Sequence, residues 1–213
     1  MRRRAALVSL VHRIREPAGE PEGALVLLHG RGADENDPFG LLDLLDPKRR
    51  LLGVTPGGPL SLSPGGRHWY VVSRVGYPDR DTFLASYEQL TDFVDGLGVA
   101  MDRTVIGGFS QGAAMSWALA LGPGRPAPRG VIALSGFIPT VEGFEITERP
   151  IPVAIAHGEL DPVIGVDFGR DARDRMLAAG ADVRYHEAPF GHHVDPRFVA
   201  TLPGWLEGVF AAP

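Results

Sequence analysis

The residues that most plainly could do chemistry lie in Gly108-Phe109-Ser110-Gln111-Gly112. A serine hydroxyl is a poor nucleophile until a base takes its proton, and the base needs an acid to hold it in the right tautomer. Apolar Val105-Ile106 lead into the pentapeptide and the small residues Ala113 and Ala114 follow it, which is the setting of a serine exposed on a sharp turn from strand to helix. Such a turn strains the serine backbone, so the positions two before and two after it must lack bulky side chains. The start of the helix also offers free N–H groups and a positive dipole end to a developing oxyanion. The chain has no cysteine, so disulfides, thiolate metal sites and a thiol nucleophile are excluded, and covalent or acid–base work falls to Ser, Asp, Glu and His.

Partners for Ser110 are found downstream. Asp161 stands in His157-Gly158-Glu159-Leu160-Asp161-Pro162-Val163, and His192 and His193 end the run Ala188-Pro189-Phe190-Gly191-His192-His193. A histidine there would take the Ser110 proton during attack on an acyl carbonyl and return it to the leaving group, while Asp161 stabilises the imidazolium. The two oxyanion donors expected are the backbone N–H of Gln111, directly after the serine, and that of Arg31 in Leu28-His29-Gly30-Arg31-Gly32. The glycines beside Arg31 let its N–H approach a substrate oxygen closely. Other candidates have blander readings. His29 and His157 each precede a glycine at a strand end and read as structural hydrogen-bonders, and Ser135 lacks a second flanking glycine. Asp167, Asp171, Asp174 and Asp182 read as solvated charge on a helix face and in its following loop. His186, His192, His193 and Asp195 have no helical i, i+4 spacing for zinc, so no metal is expected. Among the apolar residues near the expected loops, Trp69, Tyr70, Phe137 and Val163 are the candidate substrate-binding residues, with Ile138 and Phe190 beside them.

These residues need a scaffold. Short apolar runs recur at residues 24–28, 51–55, 104–108, 131–134, 153–156 and 183–186, and uninterrupted runs of this length suit strands buried on both faces. Helical stretches alternate with them at 81–97, 111–121, 168–179 and 196–210, while 55–67 and 122–129, punctuated by Gly and Pro, read as loops. The alternation predicts a mostly parallel, twisted sheet with helices on both faces and a site beyond the carboxyl ends of the strands. Ser110, Asp161 and the histidines each fall just past the end of their own strand, and the order Ser, Asp, His is that of the α/β-hydrolases.

Composition agrees with one domain over residues 1–213. The chain is 44% hydrophobic and 22% charged, and a chain of this length buries roughly 70% or more of its unfolded surface, so a core forms without staples. A net charge of −5 with scattered arginines argues against nucleic acid as a partner. The basic, apolar N-terminus Met1-Arg2-Arg3-Arg4-Ala5-Ala6-Leu7-Val8-Ser9-Leu10-Val11-His12-Arg13 reads as a first edge strand rather than a signal peptide, because charge interrupts it early and no small-residue cleavage site follows. No apolar segment approaches the roughly 18 residues of a membrane span, and a soluble, cytoplasmic protein is expected.

The segments Leu27-Leu28-His29-Gly30-Arg31-Gly32-Ala33, Gly107-Gly108-Phe109-Ser110-Gln111-Gly112-Ala113, Ala133-Leu134-Ser135-Gly136, His157-Gly158-Glu159-Leu160-Asp161-Pro162-Val163 and Gly191-His192 together resemble the phospholipase/carboxylesterase family of small α/β-hydrolases, which includes the acyl-protein thioesterases. The resemblance spans roughly residues 20–210. It implies a compact fold without a large lid domain and a serine esterase that uses no cofactor. It also implies that the catalytic histidine directly follows Gly191, which selects His192. Arg67-His68-Trp69-Tyr70 resembles the family's aromatic pair in a loop bordering the site, although Val71-Val72-Ser73 follow where the family often has an acidic residue. The expected activity is hydrolysis of small or medium carboxylic esters through an acyl-enzyme on Ser110, with a small-molecule ester as the partner and the protein a monomer or homodimer. A long acyl groove would instead make it a lysophospholipase or acyl thioesterase. A non-catalytic ligand-binding protein of the same fold is the reading from another class, and such proteins usually lack a triad member, whereas all three candidates are present here.

Overall fold

The computed structural model describes residues 10–212. In chain order the first elements are β1 (His12–Arg15), β2 (Gly23–Leu28), α1 (Phe39–Leu45) and β3 (Leu51–Pro56). Four short strands follow, β4 (Leu60–Ser61), β5 (Arg67–His68), β6 (Val72–Arg74) and β7 (Tyr77–Pro78), and then α2 (Arg80–Asp95). The second half holds β8 (Thr104–Phe109), α3 (Gln111–Leu121), β9 (Gly130–Leu134), β10 (Val153–Gly158), α4 (Val166–Ala178), β11 (Val183–Ala188), α5 (Pro196–Val199) and α6 (Leu202–Ala211).

Seven strands form one sheet in the order β1-β3-β2-β8-β9-β10-β11. All neighbours are parallel except β1, which pairs antiparallel with β3 at the edge. The expected N-terminal edge strand is therefore present at its end, His12–Arg15, while residues 1–9 of that stretch lie outside the described residues. Each of the six apolar runs forms a strand. The central ones are buried throughout, because helices cover both faces, but β11 is the opposite edge and is only half-buried, with Arg184 exposed.

Alternate strand residues feed the two faces. Val26, Leu28 and Ile106 join Phe83, Leu90, Met115 and Leu119 of α2 and α3. Leu25, Leu27, Val105 and Ile132 point the other way, onto Leu42, Leu202, Trp205 and Leu206 of α1 and α6. Helix α3 is buried along its whole length, which explains its apolar composition on every side. Against expectation, residues 196–210 form two helices rather than one. Pro203 lacks an N–H and its ring would clash with the carbonyl four residues back, so the helix stops at Val199 and restarts at Leu202. Helix α1 and the antiparallel pairs β4–β5 and β6–β7 fall where no element is evident in the sequence. No large lid domain is present among the described residues, and between β3 and α2 the chain forms two short hairpins.

Candidate active site

Strand β8 ends at Phe109 and α3 begins at Gln111, so Ser110 makes the whole turn, at φ 56 and ψ −117. The left-handed φ is held by close backbone packing: a Cβ on Gly108 would meet the Gly112 carbonyl carbon at 2.4 Å, and one on Gly112 would meet Leu28 O at 2.1 Å. The Ser110 N–H donates to Leu134 O at 2.9 Å, tying the turn to β9.

The structure brings Ser110, His192 and Asp161 together. His192 Nε2 lies 3.0 Å from Ser110 Oγ, and His192 Nδ1 lies 2.7 Å from Asp161 Oδ2. The other carboxylate oxygen of Asp161 accepts the N–H groups of Val163 at 2.8 Å and Ile164 at 2.9 Å. Burial by itself raises the Asp161 pKa, but hydrogen bonds from His192 and from these two N–H groups outweigh it and hold the carboxyl below its ordinary value. An ionised acid thus faces Nδ1, which places the donating N–H there and leaves Nε2 able to accept from the serine. His193 turns away and packs its ring on Phe190 at 5.2 Å. Phe109 lies against the His192 ring at 4.8 Å, a contact hidden in the sequence because the motif leaves that position free.

The loops after β2, β10 and β11 are themselves pinned. Gly32 N–H donates to Arg67 O at 2.8 Å and Arg67 N–H to Ala33 O at 2.7 Å, fixing the loop that carries Arg31. Among the described residues, the N–H groups of Arg31 and Gln111 have no backbone acceptor outside the helices and strands. Glu159 N–H donates to Ala188 O and Leu160 N–H to Phe190 O, joining the Asp161 and His192 loops. His29 and His157 are buried hydrogen-bonders: His29 Nε2 accepts from Gly58 N–H at 2.8 Å, and His157 Nε2 donates to Ile164 O at 2.8 Å. Burial drives both imidazoles to lower pKa, more strongly than their carbonyl partners and nearby carboxylates raise it.

The four expected substrate-binding residues differ in burial. Trp69 is 0% exposed, Tyr70 2% and Phe137 4%, and all three belong to the core, with Tyr70 packed on Phe83 and Phe137 on Phe168. The physical reason for the first two is that the Gln111 side chain draws their backbone inward, a tie between residues 41 and 42 positions apart. Val163, by contrast, is 53% exposed beside Asp161, and Leu160, which sequence reasoning passed over, is exposed on the same loop. A separate recess of about 370 Å³ lies between the β6–β7 hairpin and α4, lined by Tyr77, Ile138, Thr140, Phe168, Asp171 and Arg175. His186 and Asp195 bond to each other at 2.8 Å, and no group of three or more His, Asp or Glu among the described residues is placed to hold a metal.

Sheet order, strained serine turn and strand-end loops together define an α/β-hydrolase. Residues 10–209 match the phospholipase/carboxylesterase family, and the chain belongs to it, a hydrolase of the esterase and thioesterase class. It is 32% identical to acyl-protein thioesterase 1 of Candida albicans over 200 residues, 80% of this chain and 84% of that one. The Bacillus cereus carboxylesterase shares the fold with a TM-score of 0.82 at 21% identity, covering 95% of each chain. The structure of esterase PE8 matches at 0.79 and 27% identity, over 95% of this chain and all of that one. No helix among the described residues is long and apolar enough to cross a membrane.

Proposed function

We propose that the protein hydrolyses small or medium carboxylic esters through an acyl-enzyme on Ser110. Ser110 Oγ attacks the acyl carbonyl while His192 Nε2 takes its proton, and the N–H groups of Arg31 and Gln111 hold the resulting oxyanion. Collapse expels the alcohol, which receives that proton from His192 and leaves the acyl group on Ser110. Water then attacks the acyl carbonyl while giving a proton to His192, the acyl–Oγ bond breaks as His192 returns that proton to Ser110 Oγ, and the carboxylic acid leaves. The observation that carries the reading is the unbroken run Ser110 Oγ–His192–Asp161, at 3.0 and 2.7 Å. Cleavage of thioesters by the same residues is the second reading, favoured by the name of the relative from Candida albicans.

Intact mass after a fluorophosphonate probe tests the nucleophile, with hydrolysis of p-nitrophenyl esters from acetate to palmitate and of matched acyl thioesters followed alongside. One adduct on the wild type that disappears in Ser110→Ala is the expected result. A preference for short or medium oxygen esters supports the first reading, and a preference for long acyl thioesters replaces it with the second. A wild type that takes no adduct and turns over no substrate overturns both.

A further inference from the structure

We infer that the Gln111 side chain, linked through Trp69 to His29, is a positioning device that sets the gap between the two oxyanion donors. The inference rests on the serine-esterase reading above. The Gly-x-Ser-x-Gly turn demands no particular side chain after the serine, yet this chain places a carboxamide there, 4% exposed, at the head of a helix that is otherwise almost wholly apolar. A buried amide is unfavourable unless all its groups are paired. Here Oε1 accepts the Trp69 N–H at 3.0 Å and Nε2 donates to Tyr70 O at 2.9 Å. The amide cannot be reversed, since that would set donor against donor and acceptor against acceptor.

Trp69 continues the chain. Its Nε1–H donates to His29 O at 2.9 Å, and its ring lies 5.2 Å from that of His29, whose Nδ1 meets Gly30 O at 2.7 Å. Gly30 is bonded to Arg31. The two donors belong to different elements, Arg31 to the loop after β2 and Gln111 to α3, and the pairing of β2 with β8 reaches only Leu28 and Gly108. Beyond those residues the sheet no longer fixes the separation, and the run Gln111–Trp69–His29 crosses the interval. Oxyanion stabilisation depends on donors fixed before the charge develops, so loosening this link weakens transition-state binding more than substrate binding.

The test uses Gln111→Met, which keeps length and both backbone donors, and Trp69→Phe, which keeps an aromatic ring in the core but removes the indole N–H. For each, kcat and KM with p-nitrophenyl butyrate, the inhibition constant of a trifluoromethyl ketone that forms a tetrahedral adduct, and the melting temperature are measured. The expected result is a fall in kcat of about 10- to 100-fold with KM nearly unchanged, and inhibitor affinity falling in parallel with kcat/KM. If Gln111→Met does not fold, Trp69→Phe decides alone. Variants that keep kcat and inhibitor affinity while the wild type is active overturn this inference and spare the esterase reading. So do variants that only melt earlier. A wild type inert to probe and ester overturns both.

Discussion

Ser110 occupies a backbone region that costs a non-glycine residue about 1–3 kcal/mol, and its neighbours are chosen to hold it there. The most confining is Gly112, whose missing Cβ leaves 2.1 Å between that position and Leu28 O. Gly112→Ala is expected to cost about 1–3 kcal/mol of stability through overpacking, measured by chemical denaturation, and to slow phosphonylation of the fraction that stays folded, because the turn must shift. Unchanged stability and labelling would refute that account of the turn. Asp161 acts at the same scale. Asp161→Asn keeps the shape but presents Nδ1 with a neutral amide, so His192 is no longer held with its proton on Nδ1; kcat should fall roughly 10³- to 10⁴-fold while the fold survives. An Asn variant within tenfold of wild type, about 1.4 kcal/mol, would remove Asp161 from its proposed role.

At the scale of elements, the edge strand β1 is tied to the sheet and to α1 by one buried pair. Arg15 and Asp46 are 4% and 3% exposed and meet at 2.6 Å, with Arg15 also donating to Leu42, Asp46 and Leu51 carbonyls and Asp46 accepting the N–H groups of Arg50 and Leu51. Arg15→Met leaves a buried carboxylate without its cation and should cost about 3–5 kcal/mol, seen as a lower denaturation midpoint. A loss under about 1 kcal/mol, the range of exposed pairs, would contradict it. Nothing in the sequence marks that pair, since its members stand 31 positions apart. What the sequence does mark is whatever has a local cause. Residues 24–28 or 104–108 read as strands because both faces are buried, and the order of Ser110, Asp161 and His192 is readable because each sits at the end of such a run. Helix α1 has only seven residues and the hairpin strands two or three, too few for a period to emerge. Trp69 and Tyr70 read as pocket walls because their loop borders the site; their burial depends on Gln111, a contact no local pattern encodes.

Over the whole molecule, two buried histidines beneath the site contribute to how the fold responds to mild acid. His29 directly follows β2 and His157 lies on β10, each 0% exposed, and burial depresses both below the ordinary value of 6.5 despite the opposing pull of Gly30 and Ile164 carbonyls. The unfolded chain therefore binds protons at these sites over a pH range in which the native protein does not, and native stability rises with pH through that range. Their contribution is complete above about pH 6.5 and is lost as pH falls from there through the lower native values. Asp161 adds a second loss at lower pH, since its native pKa lies below 3.8 and its contribution holds only above that range. Both effects have the same sign, so the melting temperature should fall from pH 7.5 to pH 5, before carboxylates titrate appreciably, and fall again below pH 4. Scanning calorimetry across that range checks it, and His157→Gln, which keeps a side-chain donor for the Ile164 carbonyl but cannot take up the proton, should flatten the upper part of the slope. A melting temperature constant from pH 7.5 to 5 would mean that the two imidazoles titrate alike in the folded and unfolded chains, and burial at the strand ends would then not be what keeps them neutral.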